Sequence, residues 1–235
     1  MSVEAFAFSF FDLDRELYGT ARSGATLLFH GRNPAAHADG PVVIEDGEGW
    51  HAELADRLSL QLEPVSAEAQ LDGVTARICR VTGQVDGTTI ACLGTFSVTD
   101  VAPRWEELQA VRAISALVDD DNGLLVVSRR PRGAPGHGDE QVRAVLFTEG
   151  EPHEVEEARI STVYDGGGRQ RSAGLELWLE GKEYPRRGSG LVIAGSSFDL
   201  EAIEVHAAVF RWRLDGREGI GGYELMVRVE PPVAA

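Results

Sequence analysis

Apolar and polar residues alternate along most of this chain, and runs with the 3.6-residue period of a helix are scarce. Alternation places every second side chain on the same face of an extended strand. With turn residues as boundaries, the pattern predicts about fourteen strands. They span residues 4–11, 21–30, 41–45, 57–63, 74–85, 88–99, 111–118, 124–130, 141–148, 157–164, 170–180, 189–199, 203–214 and 218–229.

One segment near the middle has helical features. Residues 103–108 begin with proline and carry acidic residues in their first turn, which favours a short helix. This many strands exceeds a single small sandwich, so we expect two packed antiparallel units that divide near residues 100–111. The predicted fold class is all-β with very little helix, with an N-terminal unit over 1–104 and a C-terminal unit over 105–235.

The strand register of the first of two hairpins can be predicted from its turn. If Asp86-Gly87 is a two-residue turn, Val85 pairs with Thr88. Cys79 and Cys92 then share the buried face but sit diagonally, at a separation of roughly 7–8 Å. A disulfide usually needs closer Cα atoms. We expect two reduced core thiols.

The second hairpin turns at Asp215-Gly216, which pairs Leu214 with Arg217. Its last strand carries three glycines opposite large rings, Gly219, Gly221 and Gly222. Such glycines mark either a bulge or a place where something approaches the backbone closely. Both alternatives are open from the sequence.

Composition and charge limit the cellular compartment and the kinds of binding partner that we expect. The 22 basic and 38 acidic residues give a net charge of −16, which nucleic acid and anionic membranes repel. The first residues carry no positive charge, and no apolar run approaches the roughly 18 residues that span a bilayer. Two cysteines are too few for a disulfide scaffold. We expect a cytoplasmic protein with no nucleic-acid partner and no membrane insertion.

Common cofactor and metal motifs are missing. The chain has no G-x-x-x-x-G-K-[ST] phosphate loop and no G-x-S-x-G elbow. Residues 12–16 begin like a calcium loop, but Leu17 stands where that loop needs glycine. No close metal-ligand spacing relates the histidines, which are His30, His37, His51, His137, His153 and His206. We expect neither a cofactor nor a metal.

The C-terminal third carries a set of motifs that points to a family. They are R-S-A-G-L-E-L-W-L-E (171–180), Y-P-R-R-G-S-G (184–190), A-G-S-S-F-D-L (194–200) and F-R-W-R-L-D-G-R-E-G-I-G-G-Y-E-L (210–225). The D-G-R-x-G-x-G-x-x-E stretch within the last is the most specific. These segments resemble the hydroxyneurosporene synthase (carotenoid hydratase) and AttH-like group of tandem lipocalin-like proteins, in its uncharacterised branches.

This resemblance implies two consecutive lipocalin-like (calycin-type) barrel or half-barrel units with a pocket for an apolar small molecule. Enzymes of the group hydrate, cyclise or rearrange isoprenoids and other lipophilic metabolites by acid/base action without a cofactor. The expected ligand is therefore isoprenoid- or polyketide-like. No catalytic residue is carried over from the family, because its catalytic residues do not align onto this chain.

The candidate site residues come from two strand faces that would have to meet in one cavity. An acid, an imidazole and a phenol supply proton transfer, and aromatic faces stabilise a developing cation. The predicted catalytic residues are His206, Glu176 and Tyr223. The predicted ligand-binding residues are Trp178, Trp212 and Phe210.

The alternatives to this site are ordinary packing. Leu175, Leu177 and Leu179 would more naturally point inward, which leaves Glu176 in water. The rings and the histidine of the hairpin would then be core residues. At the level of function, a non-catalytic carrier or sensor of a hydrophobic ligand and a β-rich homodimer that pairs strand edges both stay open.

Overall fold

Strands make up the regular structure in the described part of the protein. The computed structural model describes residues 5–37, 39–134, 139–200 and 202–229, and within them it contains nineteen strands and no helix. The strands are β1 (Phe6–Asp12), β2 (Leu17–Arg22), β3 (Ala25–His30), β4 (Asn33–His37), β5 (Val42–Asp46), β6 (Gly49–Leu54), β7 (Leu58–Pro64), β8 (Ala69–Gln70), β9 (Val74–Val85), β10 (Thr88–Thr99), β11 (Leu108–Leu117), β12 (Gly123–Pro131), β13 (Gln141–Thr148), β14 (Glu151–Glu154), β15 (Glu157–Tyr164), β16 (Gln170–Trp178), β17 (Arg186–Leu200), β18 (Ile203–Leu214) and β19 (Arg217–Arg228).

These strands form two antiparallel sheets, each curled into a half-barrel. The N-terminal sheet has the order β4-β3-β2-β1-β10-β9-β7-β6-β5, with the short β8 beside β9. The C-terminal sheet has the order β14-β13-β12-β11-β19-β18-β17-β16-β15. The predicted all-β fold of two lipocalin-like half-barrel units is confirmed. The chain passes between the sheets in residues 100–107, which contain the predicted domain boundary; that boundary itself stays a prediction.

The predicted helix at residues 103–108 is wrong. The segment forms a turn in which the amide of Glu107 donates to the carbonyl of Arg104 at 2.9 Å, and β11 already begins at Leu108. Too few residues separate the two sheets for a helix to propagate. The predicted strand 21–30 is also two strands, split at Gly24, which has a φ of 84°.

The two hairpin registers predicted from their turns are confirmed. Val85 lies opposite Thr88, and Leu214 lies opposite Arg217. Of the alternatives for the glycines of β19, the close approach is the correct one. The pairing of β18 with β19 has no register shift, and a Cβ on Gly221 would lie 2.0 Å from the carbonyl oxygen of Ser115 on β11.

The apolar side chains form three cores. One fills the inner, concave face of the N-terminal sheet and includes Phe8, Phe10 and Phe96. A second fills the inner face of the C-terminal sheet, and we call it the C-terminal interior. The third lies between the outer faces of the two sheets, with Phe11 and Phe29 from one and Val209 from the other. Strands at the middle of each sheet are therefore buried on both faces.

Both cysteines are free, as expected. Cys79 is buried and lies opposite Gly94, whereas Cys92 is half-buried and lies opposite Val81. Burial raises the pKa of both thiols to about 12. They are therefore protonated at neutral pH. Separately, no helix in the described parts of the chain has the length and apolarity to cross a membrane.

Candidate functional site

A mainly apolar opening lies between the two sheets. It is a cavity of about 330 Å³, and we call it the inter-sheet cavity. The N-terminal sheet contributes one wall through the outer faces of β1, β2 and β10. The C-terminal sheet contributes the other through the outer faces of β11, β12, β18 and β19.

Most of the lining is apolar and much of it is small. The C-terminal wall contains Val111, Ala113, Val127, Val205, Ala207, Val209 and Met226. Alanine and glycine also line the N-terminal wall, at Ala7, Gly19 and Ala76. Short side chains on both facing strands leave space between sheets that are otherwise packed together.

A polar cluster joins the two walls. The carboxylate of Glu224 on β19 accepts hydrogen bonds from the hydroxyl of Thr20 and the guanidinium of Arg22, both on β2. A second guanidinium nitrogen of Arg22 lies 3.1 Å from the sulfur of Met226. The Arg22 and Glu224 side chains are each 14% exposed. A charged pair with so little water around it is strongly held and lies at the cavity wall.

The connector between the sheets covers one end of the cavity. Pro103 and Trp105 of the connector line it, together with Leu200 and Ile203. The guanidinium of Arg228 donates to the carbonyl of Trp105 at 2.9 Å, which ties the connector to the C-terminal sheet.

A second ion pair crosses between the sheets beside the cavity. The Nε atom of Arg129, which lines the cavity, is 3.1 Å from a carboxylate oxygen of Asp72, and its Nη2 atom donates to the Asp72 carbonyl at 2.5 Å. The two inter-sheet pairs therefore flank the cavity and fix the spacing of its walls.

The structure places the predicted aromatic residues elsewhere. Phe210, Trp212 and Tyr223 point into the C-terminal interior, where they are at most 1% exposed. The Phe210 ring lies 5.2 Å from Trp212 and 5.6 Å from Tyr223 between centroids. The Tyr223 hydroxyl is 2.8 Å from the Thr162 hydroxyl, and burial raises the pKa of this tyrosine. None of these side chains lines the inter-sheet cavity.

Glu176 and Trp178 lie on the opposite, outer face of the C-terminal sheet. Leu175 and Leu177 are buried inward, so their neighbours on β16 point outward. The Glu176 carboxylate is 3.5 Å from Arg187, and the guanidinium of Arg159 lies 4.7 Å from the Trp178 ring centroid. The two faces do not meet in one cavity, because the sheet itself separates them, and the ligand-binding roles of Trp178, Trp212 and Phe210 stay predictions.

His206 is a buried residue with its own partners. Its Nδ1 atom is 2.6 Å from the Ser197 hydroxyl, and its Nε2 atom is 3.6 Å from a Glu204 carboxylate oxygen. It does not line the inter-sheet cavity. The catalytic roles of His206, Glu176 and Tyr223 stay predictions.

Sequence reasoning missed Glu224, Arg22 and Thr20, because alternation along a strand does not show that the outer faces of the two sheets pack together. One signal was present. Residues 205–210 are all buried, and five of these six are apolar without alternation, as expected for a strand covered on both faces. Glu224 is also the final residue of the D-G-R-x-G-x-G-x-x-E stretch.

The described residues contain no group of three or more His, Cys, Asp or Glu side chains placed to hold a metal ion. His137, one of the histidines considered above, lies outside the described residues.

No family model matches the chain, and no curated protein matches it by sequence. Solved structures match it along nearly their whole length. A putative AttH from Nitrosomonas europaea is 11% identical, with 96% of this chain and 92% of that chain covered and a TM-score of 0.67. CghA, solved with Sch210972, is 12% identical, with 97% and 89% covered and a TM-score of 0.63.

Kievitone hydratase from Nectria haematococca is 8% identical, with 97% of this chain and 89% of that chain covered and a TM-score of 0.56. At such identities the likeness concerns the fold alone. The expected AttH-like fold is thus found, whereas the finer resemblance to hydroxyneurosporene synthase stays a prediction. The chain shares its two-unit lipocalin-like fold with an AttH-like protein, CghA and a hydratase.

Proposed function

We propose that this protein binds a small, mainly apolar molecule in the inter-sheet cavity. The cavity itself carries the proposal. Its volume of about 330 Å³, its apolar lining and its few convergent polar groups are typical of sites for small organic ligands. A protein of the same fold, CghA, was solved with the compound Sch210972, which supports the proposal by analogy.

The half-barrel interiors are poorer candidates for this role. Trp212, Tyr223 and Phe210 occupy the C-terminal interior, and Phe8, Phe10 and Phe96 occupy the N-terminal one. Fully buried rings in contact with one another leave no room for a guest without repacking.

A fluorescence binding assay tests the binding proposal. The neutral fluorescent probe N-phenyl-1-naphthylamine should bind the purified protein, and A113F should weaken its binding at least about tenfold, because the new ring occupies the cavity. Leu191→Phe is the control, since Leu191 lies on the outer face and is 67% exposed. Equal binding by both variants, or no binding by the original protein, would count against this site.

A second candidate is catalysis in the same cavity, as a cofactor-free hydratase, cyclase or isomerase. Glu224 favours it, because its carboxylate lies at an apolar wall and is held by Thr20 and Arg22. A carboxylate positioned in this way exchanges protons with a bound molecule. The neighbouring guanidinium stabilises negative charge that develops on an oxygen of that molecule.

Turnover separates the two candidates. Purified protein is incubated with isoprenoid and polyketide extracts, and products are followed by mass spectrometry. We expect Glu224→Gln to lower any turnover by about 100-fold or more. Glu218→Gln, an exposed change on the same strand, is the control. A tightly retained compound without turnover would favour a carrier or sensor.

The proposal includes a cytoplasmic location. The free thiols of Cys79 and Cys92 support it, since reduced cysteines are the rule in that compartment. The homodimer expected from exposed strand edges stays a prediction, and its test is the molecular mass in solution.

A further inference from the structure

Most hydroxyl groups of the inter-sheet cavity lie on its N-terminal wall. The N-terminal wall carries five hydroxyl groups, on Ser9, Thr20, Thr95, Ser97 and Thr99. The facing C-terminal wall is dominated by valine and alanine. A ligand in this cavity therefore meets several hydroxyl groups on one side and, on the other, a mainly hydrocarbon surface that is interrupted by Ser115, Arg129 and Glu224.

Strand register aligns three of these hydroxyls. Ser9 on β1 lies opposite Thr20 on β2 and opposite Thr95 on β10. The three side chains thus form one row across three adjacent strands, and we call them the hydroxyl row. Side chains in such a row are about 5 Å apart. The row therefore presents an extended polar edge, not an isolated group.

Counting donors shows that the hydroxyl row is incompletely satisfied. Thr20 donates its proton to Glu224. The Ser9 and Thr95 hydroxyl oxygens are 2.7 Å apart, and in this pair one donates to the other. The second hydroxyl then retains a proton that has no acceptor among the described residues. An unused donor at an apolar cavity is a site for an oxygen atom of a ligand.

The volume limits the size of that ligand. A water-sized group takes up roughly 30 Å³ in a liquid, so about 330 Å³ holds on the order of eleven such groups. A bicyclic ring system with one or two substituents fits this space. A full-length carotenoid does not.

We propose that the ligand is a compact ring compound with oxygen along one edge, of on the order of ten to twenty non-hydrogen atoms. A carbonyl or hydroxyl oxygen accepts the free proton of the Ser9–Thr95 pair. The hydrocarbon edge packs against Val205, Ala207 and Val209. This inference rests on the proposed binding function and narrows the ligand class expected from the sequence to its oxygenated, compact members.

Two isosteric probes test the proposed ligand class. 2-Naphthol and 2-methylnaphthalene have nearly the same size and differ only in hydroxyl against methyl. Displacement of N-phenyl-1-naphthylamine should show a preference for 2-naphthol of about tenfold, since a hydrocarbon leaves the half-buried donor unpaired. A dihydroxylated carotenoid should not displace the probe.

The Ser9→Ala, Thr95→Val double variant removes both hydroxyls and nearly preserves shape. We expect its preference for 2-naphthol to fall below about twofold, with binding of 2-methylnaphthalene retained or improved. Thr89→Val, an exposed change on the same strand, should keep the original preference. If the double variant fails to fold, the single Thr95→Val variant and the preference of the original protein decide.

The outcomes separate the two proposals. Equal affinity of the original protein for both naphthalenes, a preference that survives in the double variant, or displacement by the carotenoid would overturn the ligand class while the binding function stands. Failure of all three aromatic probes to bind the original protein would overturn the binding function itself.

Discussion

The C-terminal interior and the inter-sheet cavity are built from opposite faces of the same two strands, β18 and β19, yet one is filled and the other is open. Facing the interior are Phe210, Trp212 and Tyr223. Facing the cavity are Val209, Ala207 and Gly222. Val209 and Ala207 are as well buried as the three rings, so burial does not distinguish the two faces. Side-chain volume does, and the space for a guest lies where the residues are small.

The filled face shows how little room the interior has. A Cβ placed on Gly190 would lie 2.6 Å from the Trp212 ring and 2.8 Å from the Phe210 ring. Glycine is required at this position because the rings occupy the volume that a side chain would take. Two of the aromatic residues predicted to bind a ligand, Phe210 and Trp212, thus fill the space on this face.

Removal of the largest interior ring should have the largest effect. We expect W212A to lower the free energy of unfolding by about 3–5 kcal/mol, because it leaves a cavity in a packed core. Urea denaturation measures this. Trp178→Ala is the matched control on the outer face and should cost about 1 kcal/mol or less. Similar losses for the two variants would contradict the distinction between a filled interior and an open outer face.

Replacing an alanine on each face by a larger residue compares how much free space the C-terminal interior and the inter-sheet cavity have. Ala116 lies in the C-terminal interior, whereas Ala207 lines the cavity. We expect Ala116→Leu to cost about 1–3 kcal/mol through overpacking, and Ala207→Leu to cost less than about 1 kcal/mol because the cavity has room. Only the second should weaken probe binding. Denaturation and fluorescence titration of both variants provide the test, and the reverse ranking would refute it.

The N-terminal interior, also filled, predicts a pH effect. Burial raises the pKa of Cys79 from 9.0 to about 12, so the folded state keeps a proton that the unfolded chain releases earlier. Stability should therefore fall as pH rises from about 9 towards 12, with a slope of up to about 1.4 kcal/mol per pH unit from this thiol.

Cys79→Ala should reduce that slope, measured by urea denaturation between about pH 9 and pH 11. Val81→Ala is the control, since it removes buried volume on the same face without a titrating group, and its slope should match that of the original protein. An unchanged slope in Cys79→Ala would show that water reaches this interior.

The smallest effect on stability is expected from a substitution on the outer face of the C-terminal sheet, at β16. Glu176 pairs with Arg187 at 3.5 Å, and their side chains are 39% and 75% exposed. We expect Glu176→Gln to change the free energy of unfolding by no more than about 0.5 kcal/mol and to leave probe binding intact. Loss of binding in this variant would restore Glu176 as a site residue.

Local sequence was sufficient to predict most of the long strands and the registers of two hairpins. Asp86 and Asp215 have φ values of 47° and 49°, and each precedes a glycine with positive φ, so each pair forms the tight turn that its residue types favour. Short edge strands such as β4 and β14 were missed, because few apolar residues mark them.

The inter-sheet cavity could not be predicted from local sequence, because its residues come from distant parts of the chain. Arg22 and Glu224 are 202 residues apart in the chain, and only the packing of one sheet on the other brings them together. Alternation shows that a strand has two faces. It does not show that the second face meets another sheet, or how far apart the two sheets stand.

The order of strands within each sheet has a consequence for biosynthesis. β1 pairs with β10, and β11 pairs with β19, so each half-barrel joins its earliest strand to its latest. A ribosome delivers β19 after every other strand of the described residues, and β19 carries Glu224, Gly222 and Met226. We expect the nascent chain to hold a complete N-terminal sheet long before it can enclose a guest, because closing such distant pairings is slow. Under the proposed binding function, a ligand is captured only after β19 has been synthesised.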